Sequence, residues 1–273
     1  MKNILVLILF TLREALARKV FIFFIAISAL VIIGLGIAFS IVDTNSIMTS
    51  FNPTNDPSIS SEAIGLLEIA IISPLTNLCL LLAIFATASF VPIMLEKGNI
   101  DLLLSKPVSR PQLILGKYFG GLLFIFLNIG LLIFGVWLLI SLKFSFWDFS
   151  FLWSILIVTF TFGVLYSLIV LFGIITRSSI LGMMIAYFIY LILSPVLYLI
   201  KERVHLFSIS DFFKEILKGL YYLFPKTSEL MGKILINSSS GKGIENFQPI
   251  LTSFAFLVVI LGYSIFLFKR KDF

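Results

Sequence analysis

Six long stretches of the chain carry no Asp, Glu, Lys, Arg or His: Val20–Val42, Ile69–Leu95, Tyr118–Leu142, Phe149–Thr176, Ser178–Ile200 and Asn246–Phe268. A helix crossing a hydrocarbon core roughly 30 Å thick needs about 20 apolar residues, and each stretch supplies them. Water is absent from the bilayer centre, so backbone groups must bond within the segment, and runs of this length do so as helices. The composition agrees, with 60% hydrophobic residues, 12% charged residues and a mean hydropathy of +1.13. The expected fold class is an all-α polytopic membrane protein with six transmembrane helices. The pieces between spans are too short and scattered for a separate globular unit, so residues 1–273 are expected to form a single membrane domain.

Several function classes drop out on composition. The net charge of +6 reads as lysine and arginine beside anionic lipid; no basic patch is interleaved with exposed aromatics, so no nucleic acid partner is expected. Cys79 is the only cysteine and His205 the only histidine. One thiol closes no intrachain disulfide, and one imidazole builds no His-based metal site or catalytic dyad. Neither catalytic residues nor metal ligands are expected. The spans read as free of ionisable groups other than tyrosine and Cys79, which argues against proton-coupled carriers, since these move charge at midplane. A membrane-embedded enzyme is disfavoured because no paired acids or nucleophile–base pair lies at midplane.

Six spans put both termini on one side. That side collects twelve basic residues against four acidic ones, whereas the other holds eight basic and ten acidic. The first outer loop, Asp43–Glu68, has no basic residue at all. Both termini are therefore expected in the cytoplasm. Residues 1–19 are too short on apolar length for a seventh span. At 100° per residue Ile4, Leu5, Ile8, Leu12, Ala15 and Leu16 share a face opposite Arg13, Glu14 and Arg18, with Val6, Leu7 and Phe10 spoiling the polar side. An N-terminal interfacial helix is expected there. A signal peptide is the rival reading, but the charges crowded before Ala15-Leu16-Ala17 argue against cleavage.

On the outer side, Asp211–Phe224 places Phe212, Phe213, Ile216, Leu217, Leu220 and Tyr221 on one face and Lys214, Glu215 and Lys218 on the other. Pro225 ends that helix, and Thr227–Ile236 reads as a second short one. The loop 201–245 is thus an outer helical lid between spans five and six. Phe212, Ile216, Leu220 and Pro225 are its candidate residues, as a cap of the bundle or as a gate or partner-docking surface.

The inner loop of substance, 96–117, runs Glu96-Lys-Gly-Asn-Ile-Asp-Leu-Leu-Leu-Ser-Lys-Pro-Val-Ser-Arg-Pro-Gln-Leu-Ile-Leu-Gly-Lys117. Gly98-Asn99 breaks the second span's extension. Ile100–Ser105 makes a short helix that Lys106-Pro107 stops, since a residue before proline avoids the α conformation. Ser109 and Gln112 have capping-box spacing, with Pro111 tolerated in the next helix's first turn. Leu102, Leu103 and Leu104 form an apolar face at the membrane surface, either for interfacial packing or as a docking knob.

These residues resemble the motif of type-2 ABC exporter permeases: an acidic residue, a glycine, a run of leucines, Ser, Pro-Val-Ser-Arg, and Gly116-Lys117 opening the third span. The Pro-Val-Ser-Arg form is most like permeases grouped with multicopper-enzyme and nitrous-oxide-reductase maturation. The resemblance implies that the 96–117 loop is a coupling helix seated in a groove of an ABC nucleotide-binding ATPase subunit. Glu96, Leu102, Leu103, Leu104, Lys106, Pro107 and Arg110 are the contact candidates by position. It also implies a second permease copy or a related permease, an accessory protein on the outer side, and residence in a bacterial or archaeal cytoplasmic membrane.

The chain itself lacks a phosphate-cradling loop. Gly241-Lys242-Gly243, the nearest string, has neither the upstream glycine nor the hydroxyl residue of G-x-x-x-x-G-K-[ST]. ATP and Mg are therefore expected in the partner, with no cofactor bound here. The alternative function is a non-pore subunit that transmits force or holds a membrane complex together.

Overall fold

The computed structural model describes residues 2–17, 20–41, 57–100, 105, 108–203, 211–241, 243–244 and 246–271. The helices are α1 (Lys2–Ala17), α2 (Val20–Ile41), α3 (Pro57–Thr87), α4 (Phe90–Met94), α5 (Arg110–Phe144), α6 (Trp153–Thr176), α7 (Ser179–Phe188), α8 (Ser194–Arg203), α9 (Asp211–Leu223), α10 (Thr227–Glu229), α11 (Leu235–Ser239) and α12 (Gln248–Arg270). A 3₁₀ turn, Phe149–Leu152, leads into α6; π turns Ile189–Leu193 and Leu230–Ile234 join α7 to α8 and α10 to α11. No strand occurs among the described residues. Six segments are long and apolar enough to cross a membrane: Ile22–Ile41, Ile64–Met94, Arg110–Phe144, Phe149–Thr176, Ser179–Glu202 and Gln248–Arg270. The protein is a multi-pass, all-α membrane protein. The face carrying both termini is called here the near face, and the opposite one the far face.

Span four is the hub, with 78% of its most apolar window buried against 11% for span one. It carries no charged side chain on any face, as expected of a helix with neighbours on every side. Small residues set the close crossings. A Cβ on Gly182 of α7 would lie 3.2 Å from the Ile169 carbonyl of α6, and Ala186 one turn on is fully buried. The small-xxx-small spacing in span five is therefore a real helix contact.

Two features depart from the sequence reading. The second span begins well before Ile69: α3 is continuous from Pro57, and Pro74 lies inside it. Glu68 is consequently inside span two, and only 1% exposed. The expectation that no ionisable residue other than tyrosine and cysteine lies in a span is wrong at this position. Glu68 read as a loop residue because its charge ended the uncharged stretch; helical hydrogen bonding, which ignores side-chain charge, carries through it.

The second departure is the face that α1 buries. The buried residues are Leu7, Thr11 and Ala15, whereas Leu5 and Leu16 of the expected apolar stripe are exposed. Leu7 and Thr11 lie on Gly116 and Gly120 of α5, where a Cβ would come within 2.4 Å of Leu7 Cβ and 2.5 Å of Thr11 Cβ. The glycines remove the bulk that would hold the helices apart. With Leu7 packed on span three, the Leu5 and Leu16 side is left outward, where an interfacial helix needs apolar surface.

Candidate functional site

The near face is built around the start of α5. Ser109 precedes it in extended conformation (φ −75°, ψ 150°), and its amide donates to Gln112 Oε1 at 3.1 Å. The capping box thus forms as its spacing predicts, and the helix it opens is 35 residues long. At about 52 Å this exceeds the hydrocarbon thickness, so α5 carries its mount beyond the spans. Glu14 of α1 pairs with Lys117 Nζ, and the lysine side chain is 5% exposed.

Arg110, the first residue of α5, turns to the end of the last span. Its Nη1 donates to the carbonyls of Phe268 (3.5 Å), Lys269 (3.1 Å) and Lys271 (2.6 Å). Lys271 Nζ in turn donates to the carbonyl of Ile174 and, at 3.3 Å, to that of Ile175, at the end of α6. Burial, with Arg177 nearby, pushes Lys271 below the ordinary lysine range. Helix C-termini carry orphan carbonyls and partial negative charge, so a cation at each end is the expected partner.

Of the docking candidates, Glu96 is exposed on a turn whose Gly98 has φ +91°, a left-handed conformation that favours glycine. Ile100, just beyond, is buried. Leu102, Leu103, Leu104, Lys106 and Pro107 lie outside the described residues. Glu96 and Arg110 therefore flank the expected docking element.

The far face carries the lid. Helix α9 ends at Leu223 and Pro225 follows, as the sequence indicates. Ile216 and Leu220 are 43% and 36% exposed within the chain, and the side chain of Phe212 lies outside what is described. Pro225 is buried. The anchor was not foreseen. Tyr221 Oη donates to buried Glu229, Lys201 Nζ lies 3.2 Å from the same carboxylate, and Lys201 Nζ is 2.6 Å from Tyr221 Oη. Burial and Glu229 push the Tyr221 phenol above its ordinary value. Lys226 is 3% exposed with no hydrogen-bond partner for Nζ, which sits 4.0 Å from the Tyr221 ring centre and 4.6 Å from that of Tyr222. Burial pushes it down to about 8. The signal in the sequence is the dense Lys/Glu/Tyr spacing across 198–233, but the helix-face reading sets Tyr221 on the apolar side and does not place Lys201, Lys226 or Glu229.

Two cavities lie between spans two and five. The near one, about 500 Å³, is apolar and lined by Phe24, Leu82, Phe85, Ile180 and Met183 with span-one residues on its flank. The far one, about 300 Å³, is lined by Ser73, Asn77, Tyr190, Pro195, Ser228 and Met231. Between them Tyr187 Oη donates to the Leu81 carbonyl at 2.8 Å and Tyr190 Oη to Asn77 Oδ1. Tyr190 lies in the π turn Ile189–Leu193 and Tyr187 just before it; such turns are frequent at functional sites. Span five thus presents an interrupted furrow to span two.

The bundle of six apolar spans, with helices on its near and far faces, defines a multi-pass all-α membrane protein. The model of the family described as ABC-2 family transporter protein matches residues 12–273, and the chain belongs to that family. It is accordingly a permease subunit of an ABC transporter. No curated protein matches the chain.

Proposed function

We propose that this permease couples ATP hydrolysis by a separate nucleotide-binding subunit to export of an apolar or amphipathic substrate from the near face to the far face. ATP and Mg bind that partner, a second permease copy or a related one completes the pathway, and both termini are cytoplasmic in a bacterial or archaeal inner membrane. The observation that carries the reading is the mount of the 96–117 loop: Ser109, Gln112 and Arg110 fix its exit to the longest helix of the bundle. A docking element transmits force only if it is anchored to the bundle, and the exit of this loop is so anchored at Ser109 and Arg110. Glu96, Leu102–Leu104, Lys106 and Pro107 form the partner contact. The furrow between spans two and five supports a substrate path, with an apolar chamber towards the near face and hydrogen-bonding groups towards the far face. The Pro-Val-Ser-Arg form of the loop favours the multicopper-enzyme maturation subgroup, with an accessory protein at the lid.

The test is Leu103→Asp. An unpaired charge in an apolar groove costs several kcal/mol, on the order of a whole docking contact. Insertion of the spans is expected to stay intact while the ATPase subunit is lost on purification or hydrolyses ATP without driving export. Normal partner retention with normal coupled activity would reduce the loop to interfacial packing.

The second reading, force transmission without a pore, has one observation in its favour. The furrow is closed at mid-depth by the Tyr187–Leu81 and Tyr190–Asn77 bonds. Crosslinking cysteines at 77 and 190 separates the two: it stops export but leaves force transmission in place.

A further inference from the structure

The two attachments of the docking loop differ in kind. On its span-two side the helix is interrupted twice, by the Ala88–Ser89 break between α3 and α4 and by the exposed turn 96–99 with left-handed Gly98. On its span-three side the loop enters a capped helix directly, and the first residue of that helix is bonded to another span. Arg110 holds three carbonyls at the end of α12, and Lys271, just past that end, holds two at the end of α6. Residues 158 to 161 positions apart are thereby joined. The order in space is loop, start of span three, end of span six, end of span four.

We infer that Arg110 and Lys271 form a coupling clamp: they bind the near-face ends of spans three, six and four into one block on which the docking loop acts. This rests on the functional reading above and changes the role of Arg110 from a partner contact to a positioning residue. The chemistry suits a clamp. Each cation meets the negative end of a helix, where the acceptors are backbone carbonyls that cannot swing away as side chains do. The guanidinium keeps its charge at any working pH, and its Nη1 alone reaches all three carbonyls. The block also has a packed interior: Tyr118 of span three stacks on Tyr166 of span four at 5.6 Å and donates to the Gly163 carbonyl at 2.9 Å. A push delivered at Ser109–Arg110 therefore reaches the hub of the bundle, which packs on span two at Gly173 and on span five at Gly182, the two walls of the furrow.

The test uses the full complex with its co-purifying ATPase subunit in nanodiscs. Arg110→Ala, Arg110→Lys and Lys271→Met are compared with wild type for ATPase retention and for the ATP-driven distance change between labels at 78 and 191, on either side of the furrow. Arg110→Ala is expected to keep the ATPase subunit and to lose the response by at least about fivefold, the lower range of coupling between sites. Arg110→Lys should recover part of it, and Lys271→Met should show a smaller loss. A clamp of merely structural value would lower the melting temperature and leave the response of the folded complex unchanged; that result overturns the inference. So does loss of the ATPase subunit from Arg110→Ala, which would make Arg110 a docking contact. Failure of the wild-type complex to hold an ATPase or respond to ATP is a different result, and it removes the functional reading together with the clamp.

Discussion

The two ends of the molecule satisfy their buried polar groups to different degrees. At the near face cations meet backbone carbonyls or a carboxylate, as Arg110, Lys271 and Lys117 do. The far face and its adjoining half mix the two: buried Glu229 is bonded by Tyr221 and Lys201, but Glu68, Ser141, Ser154, Thr159, Lys226, Thr227 and Ser238 each carry a buried side-chain atom without a partner. Tyr166, deeper in the bundle, is the one other such residue among those described. A satisfied network rigidifies, and a partly satisfied one is a reservoir of strain. One end is therefore built to hold shape and receive force, and the other to rearrange.

The sharpest way to break this contrast is Glu14→Ala, which leaves Lys117 buried without its carboxylate. A loss of about 3 kcal/mol is expected, measured by thermal unfolding in micelles, because an uncompensated buried charge is costly. The double variant with Lys117→Met should recover most of it. Gly120→Val comes next. Its new Cβ would sit 2.5 Å from Thr11 Cβ, and overpacking of this kind costs about 2 kcal/mol, read as release of α1 to protease.

At the far end the sign reverses. Glu68→Met removes two unpartnered carboxyl oxygens and should raise stability by about 1 kcal/mol. The smallest effect is Lys226→Met. Because burial holds Lys226 near 8, the folded lid binds fewer protons than the unfolded one between about 8 and the ordinary lysine value. Lid stability should then rise with pH across that window. Tyr221, Tyr222, Glu229 and Lys201 are the groups facing it. Hydrogen exchange of the α9 amides should show this slope in wild type and a flat profile in the variant.

Hydropathy alone located the six spans, because a bilayer leaves the backbone a single option, and turn chemistry placed the Ser109 cap and the Pro225 stop. The buried face of α1 was not legible. Its partner is a pair of glycines more than a hundred residues away, and Leu7 looked like a flaw in an amphipathic pattern. Arg110 and Lys271 were equally hidden. Their acceptors are main-chain carbonyls, which leave no trace in residue identity, so Arg110 read as a contact for the partner ATPase. Glu68 was misplaced since charge patterning marks where apolar runs end, not where helices do.

The central claim is a clamped near face and a rearranging far face under ATP. Pulsed electron–electron spin resonance on the ATPase complex tests it, with one label pair at the exposed positions 175 and 269 near the clamp and another at 147 and 222 beside the lid, in a Cys79→Ser background. The account expects the 175–269 distance distribution to stay put on adding ATP with vanadate while that of 147–222 shifts. A shift at 175–269 with an unmoved 147–222 pair would contradict it.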